Sequence, residues 1–176
     1  IMVIDELRKF GTGDTAMQEI EYTISRDRNH PSIILWSIFN EEPIQGTIDG
    51  ERIAKTMAAM VKTYDSSRLI TAGMNGGHLE EHSAVYALDV AGINYFIHTY
   101  DQFHEKHPQK PVIGSETAST LSVRGVYENN RAKCMLSAFD ENHPPWGATA
   151  EDAWLPIAER DFMAGTFVWT GFDYRG

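Results

Sequence analysis

The chain has 176 residues, of which 42% are apolar and 23% charged, with a formal net charge of −10. That length suits one domain of ordinary globular composition. The acidic balance argues against a nucleic-acid partner, because no excess of Lys and Arg is present to replace counterions. No apolar run approaches the ~20 residues that span a bilayer, so no membrane partner is expected.

The N-terminal Ile1-Met2-Val3-Ile4 runs straight into Asp5-Glu6. It has neither the basic start nor the small-residue cleavage site of a signal peptide. A soluble protein is expected, with the compartment left open: periplasmic or secreted, or cytoplasmic, depending on any residues upstream.

Met2–Asp5 reads as a first strand. Thr15–Arg26 follows with Met17, Ile20 and Ile24 at helical spacing. Ile33–Phe39 is a second strand, and Asp49–Tyr64 a second helix with Ile53, Met57, Met60 and Val61 on one face and Asp49 as N-cap. Leu69–Ala72, Val90–Tyr95 and Val112–Ser115 read as further strands. Val126–Phe139 reads as a third helix, with the single cysteine, Cys134, as a small buried hydrophobe rather than a nucleophile. Lacking a second cysteine, the chain forms no internal disulfide. Asp140–Thr149, with Pro144-Pro145-Trp146-Gly147, is an ordered loop whose Trp146 either lines a cleft or anchors the loop. A last helix, Ala150–Phe162, leads into a last strand, Gly165–Trp169. Met57, Met60, Met135 and Met163 are core filler.

The strands are short and largely continuous in apolar residues, as parallel strands covered on both faces are. Their alternation with helices predicts an α/β fold with right-handed crossovers. Six strands do not close a (β/α)8 barrel. The fold expected is therefore a partial barrel, with two open edges and a slice of exposed core.

Two glutamates fall where strands give out. Glu41 ends Trp36-Ser37-Ile38-Phe39-Asn40-Glu41, and Glu116 ends Val112-Ile113-Gly114-Ser115-Glu116. The carboxyl ends of barrel strands form the face where barrel enzymes keep their active sites. Two carboxylates across a cleft are the minimum for hydrolysing a glycosidic bond. On the residues alone, either could instead be a capping or ion-paired surface group.

The lead-in Arg26-Asp27-Arg28-Asn29-His30-Pro31-Ser32, followed by the strand and Asn40-Glu41-Glu42-Pro43, resembles the acid/base motif of glycoside hydrolase family 2. This family contains β-galactosidases, β-glucuronidases and β-mannosidases. Lys110-Pro111-Val112-Ile113-Gly114-Ser115-Glu116-Thr117-Ala118-Ser119 resembles its nucleophile region. Gly165-Thr166-Phe167-Val168-Trp169-Thr170-Gly171-Phe172-Asp173-Tyr174 resembles its last barrel strand. The three motifs occur in the family's order and cover roughly barrel strands 3 to 8. The resemblance implies that 1–176 is an incomplete catalytic TIM-barrel domain, without the N-terminal strands and accessory β-domains.

The resemblance also implies a retaining mechanism with Glu41 as general acid/base and Glu116 as nucleophile. A retaining pair lies about 5–5.5 Å apart, so that one carboxylate attacks the anomeric carbon while the other protonates the leaving oxygen. Glu42 is the alternative acid, disfavoured because the family's acid directly follows the Asn. Asn40 would contact the sugar 2-hydroxyl, its alternative being a turn-forming role. Trp169 would form a platform for the sugar, its alternative being a core position. Tyr95 would hydrogen-bond the nucleophile, and Asn94 shares its place with a register uncertain by one residue.

No His-Glu-x-x-His occurs, and His30 reads as structural. Some family members bind Mg²⁺ through an acidic residue and a His after the third strand. Here that stretch is Asp5-Glu6-Leu7-Arg8-Lys9-Phe10-Gly11, without the His, so no cofactor or metal is expected.

The expected partner is a carbohydrate, with a β-galactoside as first choice. The Asn-x-Lys element usual in β-glucuronidases is not found, although Arg124 could serve an anionic sugar. β-Glucuronidase, β-mannosidase and another same-clan glycanase are the alternatives within enzymes. A non-catalytic carbohydrate-binding or assembly module is the alternative from another class. Homo-oligomerisation through the full-length chain is left open.

Overall fold

A computed structural model describes residues 1–171. Six parallel strands form one sheet in simple sequence order: β1 (Val3–Glu6), β2 (Ile33–Asn40), β3 (Leu69–Met74), β4 (Ala91–Asn94), β5 (Val112–Ala118) and β6 (Met163–Trp169). Helices α1 (Asp14–Asp27), α2 (Ile48–Tyr64), α3 (Tyr100–Lys106) and α4 (Ala150–Ala158) occupy the crossovers. Within the described residues this is a partial α/β barrel, with β1 and β6 as its outer strands. The last part of the third motif, Phe172-Asp173-Tyr174, lies outside the described residues.

The expected strands all form, several extending further toward the carboxyl end. The helices follow their apolar stripes. Ile20 and Ile24 of α1 are buried, and Ala54, Met57, Ala58 and Val61 of α2 face the sheet. The α2 cap is Thr47, not Asp49: its hydroxyl accepts from the Gly50 N–H at 3.1 Å. Asp49 sits in the first turn, where a carboxylate is favoured by the helix dipole.

Two expectations fail between β5 and α4. Val126–Phe139 is not a helix but a loop containing one short turn, Arg131–Lys133, and an isolated bridge between Asn130 and Met135. Its asparagines bond to the backbone instead. Asn130 Oδ1 accepts from the Lys133 N–H at 3.2 Å, and Asn129 Oδ1 accepts from the Ser137 N–H at 2.7 Å. Such local bonds compete with the helical ladder. Cys134 is therefore exposed, with φ +52°, rather than buried. Conversely, α3 was not anticipated. It is short, and its buried pair Tyr100 and Phe103 is too small a sample to reveal a period.

The two faces of the sheet differ. Trp36, Ile38, Ile70, Ala72, Met74, Ala91, Ile93 and Val112 belong to a large apolar core with the helices. The barrel-interior face holds a smaller cluster of Leu35, Val90 and Ile113, with Ile4 and Phe167 against it. Two residues further along those strands come Glu6, Ser37, Ser115 and Trp169, and with Thr71 and Asn94 these line an open cavity. The interior thus passes from an apolar plug to a polar cup toward the carboxyl ends, because alternate strand residues share a face.

Candidate active site

Each expected site residue lies at a carboxyl-terminal strand end. The register there is interrupted between Ser37 and Asn40, between Ile93 and Asn94, and between Gly114 and Thr117. Such irregularities re-aim side chains near functional sites. Glu41 and Tyr95, each one residue past its strand, have φ values of +52° and +59°. Non-glycine residues in this region cost conformational energy and concentrate at active sites.

Two adjoining cavities receive the glutamates. Glu41 lines a cleft of about 510 Å³ together with Asn75, Tyr95, Phe96, His98, Pro145 and Trp146. Glu116 lines the polar cup, about 220 Å³, with Asn94, Ser115, Glu6 and Trp169 among others. Tyr95 joins the two: it walls the first cleft, while its hydroxyl donates to Glu116 Oε2 at 2.8 Å. Asn94 joins them from below. Its Nδ2 donates to Glu41 Oε1 at 3.0 Å and to Asn40 Oδ1 at 2.9 Å, and its Oδ1 accepts from Ser115 Oγ at 2.6 Å.

All the sequence-predicted residues are brought together: Asn40, Glu41, Asn94, Tyr95, Glu116 and Trp169. Glu42 is not part of either wall; its carbonyl accepts from the Gln45 N–H in the turn that leads to α2. Among the described residues the Lys and Arg ion pairs lie elsewhere, at Arg26–Asp27, Lys55–Glu51, Lys62–Asp89, Arg68–Asp65 and Arg160–Asp101.

Electrostatics single out Glu116. Burial raises its pKa to about 7, the Tyr95 hydroxyl opposes that rise, and the carboxylates of Glu41 and Glu6 reinforce it. Glu6 is itself raised, first by burial and then by Glu41, against the Ser37 hydroxyl that donates to it at 2.7 Å. Tyr95 is pushed up chiefly by burial, so its hydroxyl stays protonated and available as a donor. Neighbouring carboxylates thus add to burial in disfavouring the charged forms of Glu116 and Glu6.

Sequence reasoning missed Glu6, Ser115, Phe96 and His98. Glu6 carried a signal, since it stands two residues after Ile4 and so shares its face of the strand. Phe96 and His98 carried none, because they depend on the turn Ile97–Thr99. Buried His78 braces that turn through Nε2···Thr99 Oγ1 at 2.9 Å. The Pro-Pro-Trp loop reaches the cleft, so Trp146 takes the lining role. Among the described residues no group of three His, Cys, Asp or Glu side chains gathers as a cation site.

The comparisons with known proteins agree with one another. A family model described as glycosyl hydrolases family 2, TIM barrel domain, matches residues 11–142. The chain is 30% identical to Beta-galactosidase BoGH2A of Bacteroides ovatus over 87% of this chain and 24% of that protein. It is 30% identical to a Beta-glucuronidase of Bacteroides fragilis over 92% of this chain and 24% of that protein. Among solved structures, a glycosyl hydrolase family 2 member from Bacteroides cellulosilyticus superposes with a TM-score of 0.72 at 27% identity, over 99% of this chain and 21% of that one. The chain thus spans about a quarter of the length of these curated relatives.

Proposed function

This chain belongs to glycosyl hydrolase family 2 as part of its TIM barrel domain, and from that premise we propose that the full-length protein is a retaining β-glycosidase. Glu116 attacks the anomeric carbon and the glycosidic C–O bond breaks. Glu41 delivers its proton to the departing oxygen. The glycosyl ester on Glu116 removes that residue's negative charge, which eases the second loss of a proton from Glu41 to activate the hydrolytic water. One carboxyl group thus serves as acid and then as base.

The observation that carries this reading is that two consecutive residues hold the two glutamates: Asn94 donates to Glu41 and Tyr95 donates to Glu116. Tyr95 favours the anionic form of Glu116, against burial and the carboxylates of Glu41 and Glu6. Asn40 is exposed beside Glu41, which supports a contact with a sugar hydroxyl. Trp169 supplies an aromatic wall beside Glu116, suited to the C–H face of a pyranose.

A β-galactoside is the preferred substrate. Among the described residues, both walls carry acidic, amide, hydroxyl and aromatic groups and no Lys or Arg, which supports a neutral sugar over a uronate. A β-glucuronide is the second reading, favoured by the relative of that name at equal identity. Hydrolysis of a panel of nitrophenyl β-glycosides by the full-length protein tests the choice. The galactoside is expected to be cleaved fastest and with retained configuration. Faster cleavage of the glucuronide would overturn the substrate, inversion the mechanism, and a protein that binds sugars without cleaving any would be a binding module.

A further inference from the structure

Asn94 is fully buried, whereas Asn40 is exposed and Glu41 half-buried. It lies in the wall of the polar cup with no exposed surface, yet every polar atom of its carboxamide is used. Its two amide hydrogens go to Asn40 Oδ1 and Glu41 Oε1, and its oxygen takes the Ser115 hydroxyl. A carboxamide has two donors and one acceptor oxygen, so this pattern fixes which end is which. The Glu41 carboxylate, which only accepts, selects the amide end of Asn94, and Ser115 anchors the oxygen end, so Asn94 is held against the pair on β2.

Asn40 and Asn94 belong to β2 and β4, and β3 runs between them. They meet because the intervening residue is Gly73. A Cβ there would stand 2.3 Å from Asn40 Oδ1 and 3.0 Å from both terminal atoms of Asn94. Contacts that close are not tolerated between unbonded atoms. The missing side chain at Gly73 is thus the passage through which the β4 amide reaches β2.

We infer that Asn94 is a positioning residue, anchored by Ser115 and admitted by Gly73, which holds the Asn40 amide and the Glu41 carboxylate in their working orientation. This rests on the acid/base reading of Glu41 and deepens it. Because Oε1 accepts from Asn94, the proton that Glu41 transfers is carried on Oε2. Because Asn40 Oδ1 is also engaged, Asn40 meets its ligand through its amide hydrogens.

The test compares Asn94→Ala and Ser115→Ala in the full-length protein, using kcat/KM for two aryl β-galactosides. The dinitrophenyl leaving group departs without help; the unsubstituted phenyl group needs a proton. Misplacing a catalytic group slightly costs on the order of 10²-fold. Asn94→Ala is expected to lose about that factor on the phenyl substrate and less than about tenfold on the dinitrophenyl one. Ser115→Ala should show the same preference, more weakly, and serves if the first variant does not fold. Equal losses on both substrates, or none, would overturn the inference. If the unaltered protein cleaves no glycoside, the functional reading fails instead. The inference is then decided by crystal structures of both forms, and unmoved Asn40 and Glu41 side chains in Asn94→Ala would end it.

Discussion

The two faces of one sheet have opposite characters. On the helix side, Trp36, Ile38, Ile70, Ala72, Met74 and Ile93 are buried in a continuous apolar core. On the barrel side, the same strands supply a thin apolar plug and then Glu6, Ser37, Thr71, Asn94, Ser115 and Glu116. Strand alternation is what separates them. The outer face contributes stability by removing apolar surface from water. The inner face gathers carboxylates that repel one another and leaves the Thr71 hydroxyl without a hydrogen-bond partner among the described residues. The outer face therefore supports an inner face that is electrostatically unfavourable, which is the arrangement expected where chemistry is done.

That contrast can be broken by substitutions on either side. The largest effect is expected from Glu116→Gln, which removes the proposed nucleophile: turnover of the nitrophenyl galactoside should fall at least about 10³-fold while the protein stays folded. Met57→Ala, on the helix side, should do the reverse. It should cost about 2–5 kcal/mol of unfolding free energy in a denaturant titration and leave the substrate preference of the folded protein unchanged. Gly73→Ala should lower kcat/KM by on the order of 10²-fold, by displacing Asn40 and Asn94, with the greater loss on poor leaving groups.

The smaller effects are those of pH. The proposed attack requires ionised Glu116, whose pKa is raised to about 7, so kcat/KM should rise with pH through that region. Glu41→Gln removes one cause of the rise and should move the midpoint of the residual activity down. Tyr95→Phe removes the opposing donor and should move it up. Stability must follow the same linkage. A carboxyl group whose folded pKa is raised binds protons more readily in the folded state, so its contribution falls as pH climbs from the unfolded value, near 4.5, to about 7. The melting temperature of Glu116→Gln should therefore exceed that of the unaltered protein at pH 8, with a margin that shrinks toward pH 5.

Much of this was readable in the sequence, for identifiable reasons. Buried parallel strands announce themselves as apolar runs, and a glutamate directly after such a run has only one end of the barrel to occupy. Glu41 and Glu116 were found that way, and the ordered motifs around them gave the family. The division of labour at Asn94 and Tyr95 was not readable. Adjacent residues at a strand end exchange roles with a shift of one position, and only the interrupted register places Asn94 below the site and Tyr95 across it. Gly73 was silent because its contribution is the absence of a side chain between two other strands. The Val126–Phe139 segment misled, since its apolar spacing suggested a helix while its asparagines offered the backbone closer partners.

The claim at the centre is that Glu116 forms the bond to the sugar. Incubating the full-length protein with a 2-fluoro β-galactosyl fluoride and mapping the modified peptide by mass spectrometry tests it directly. The account predicts a single glycosyl adduct on Glu116, retained when Glu41 is replaced provided the leaving group is fluoride. An adduct on Glu41, Glu42 or Glu6 with Glu116 unmodified would contradict it.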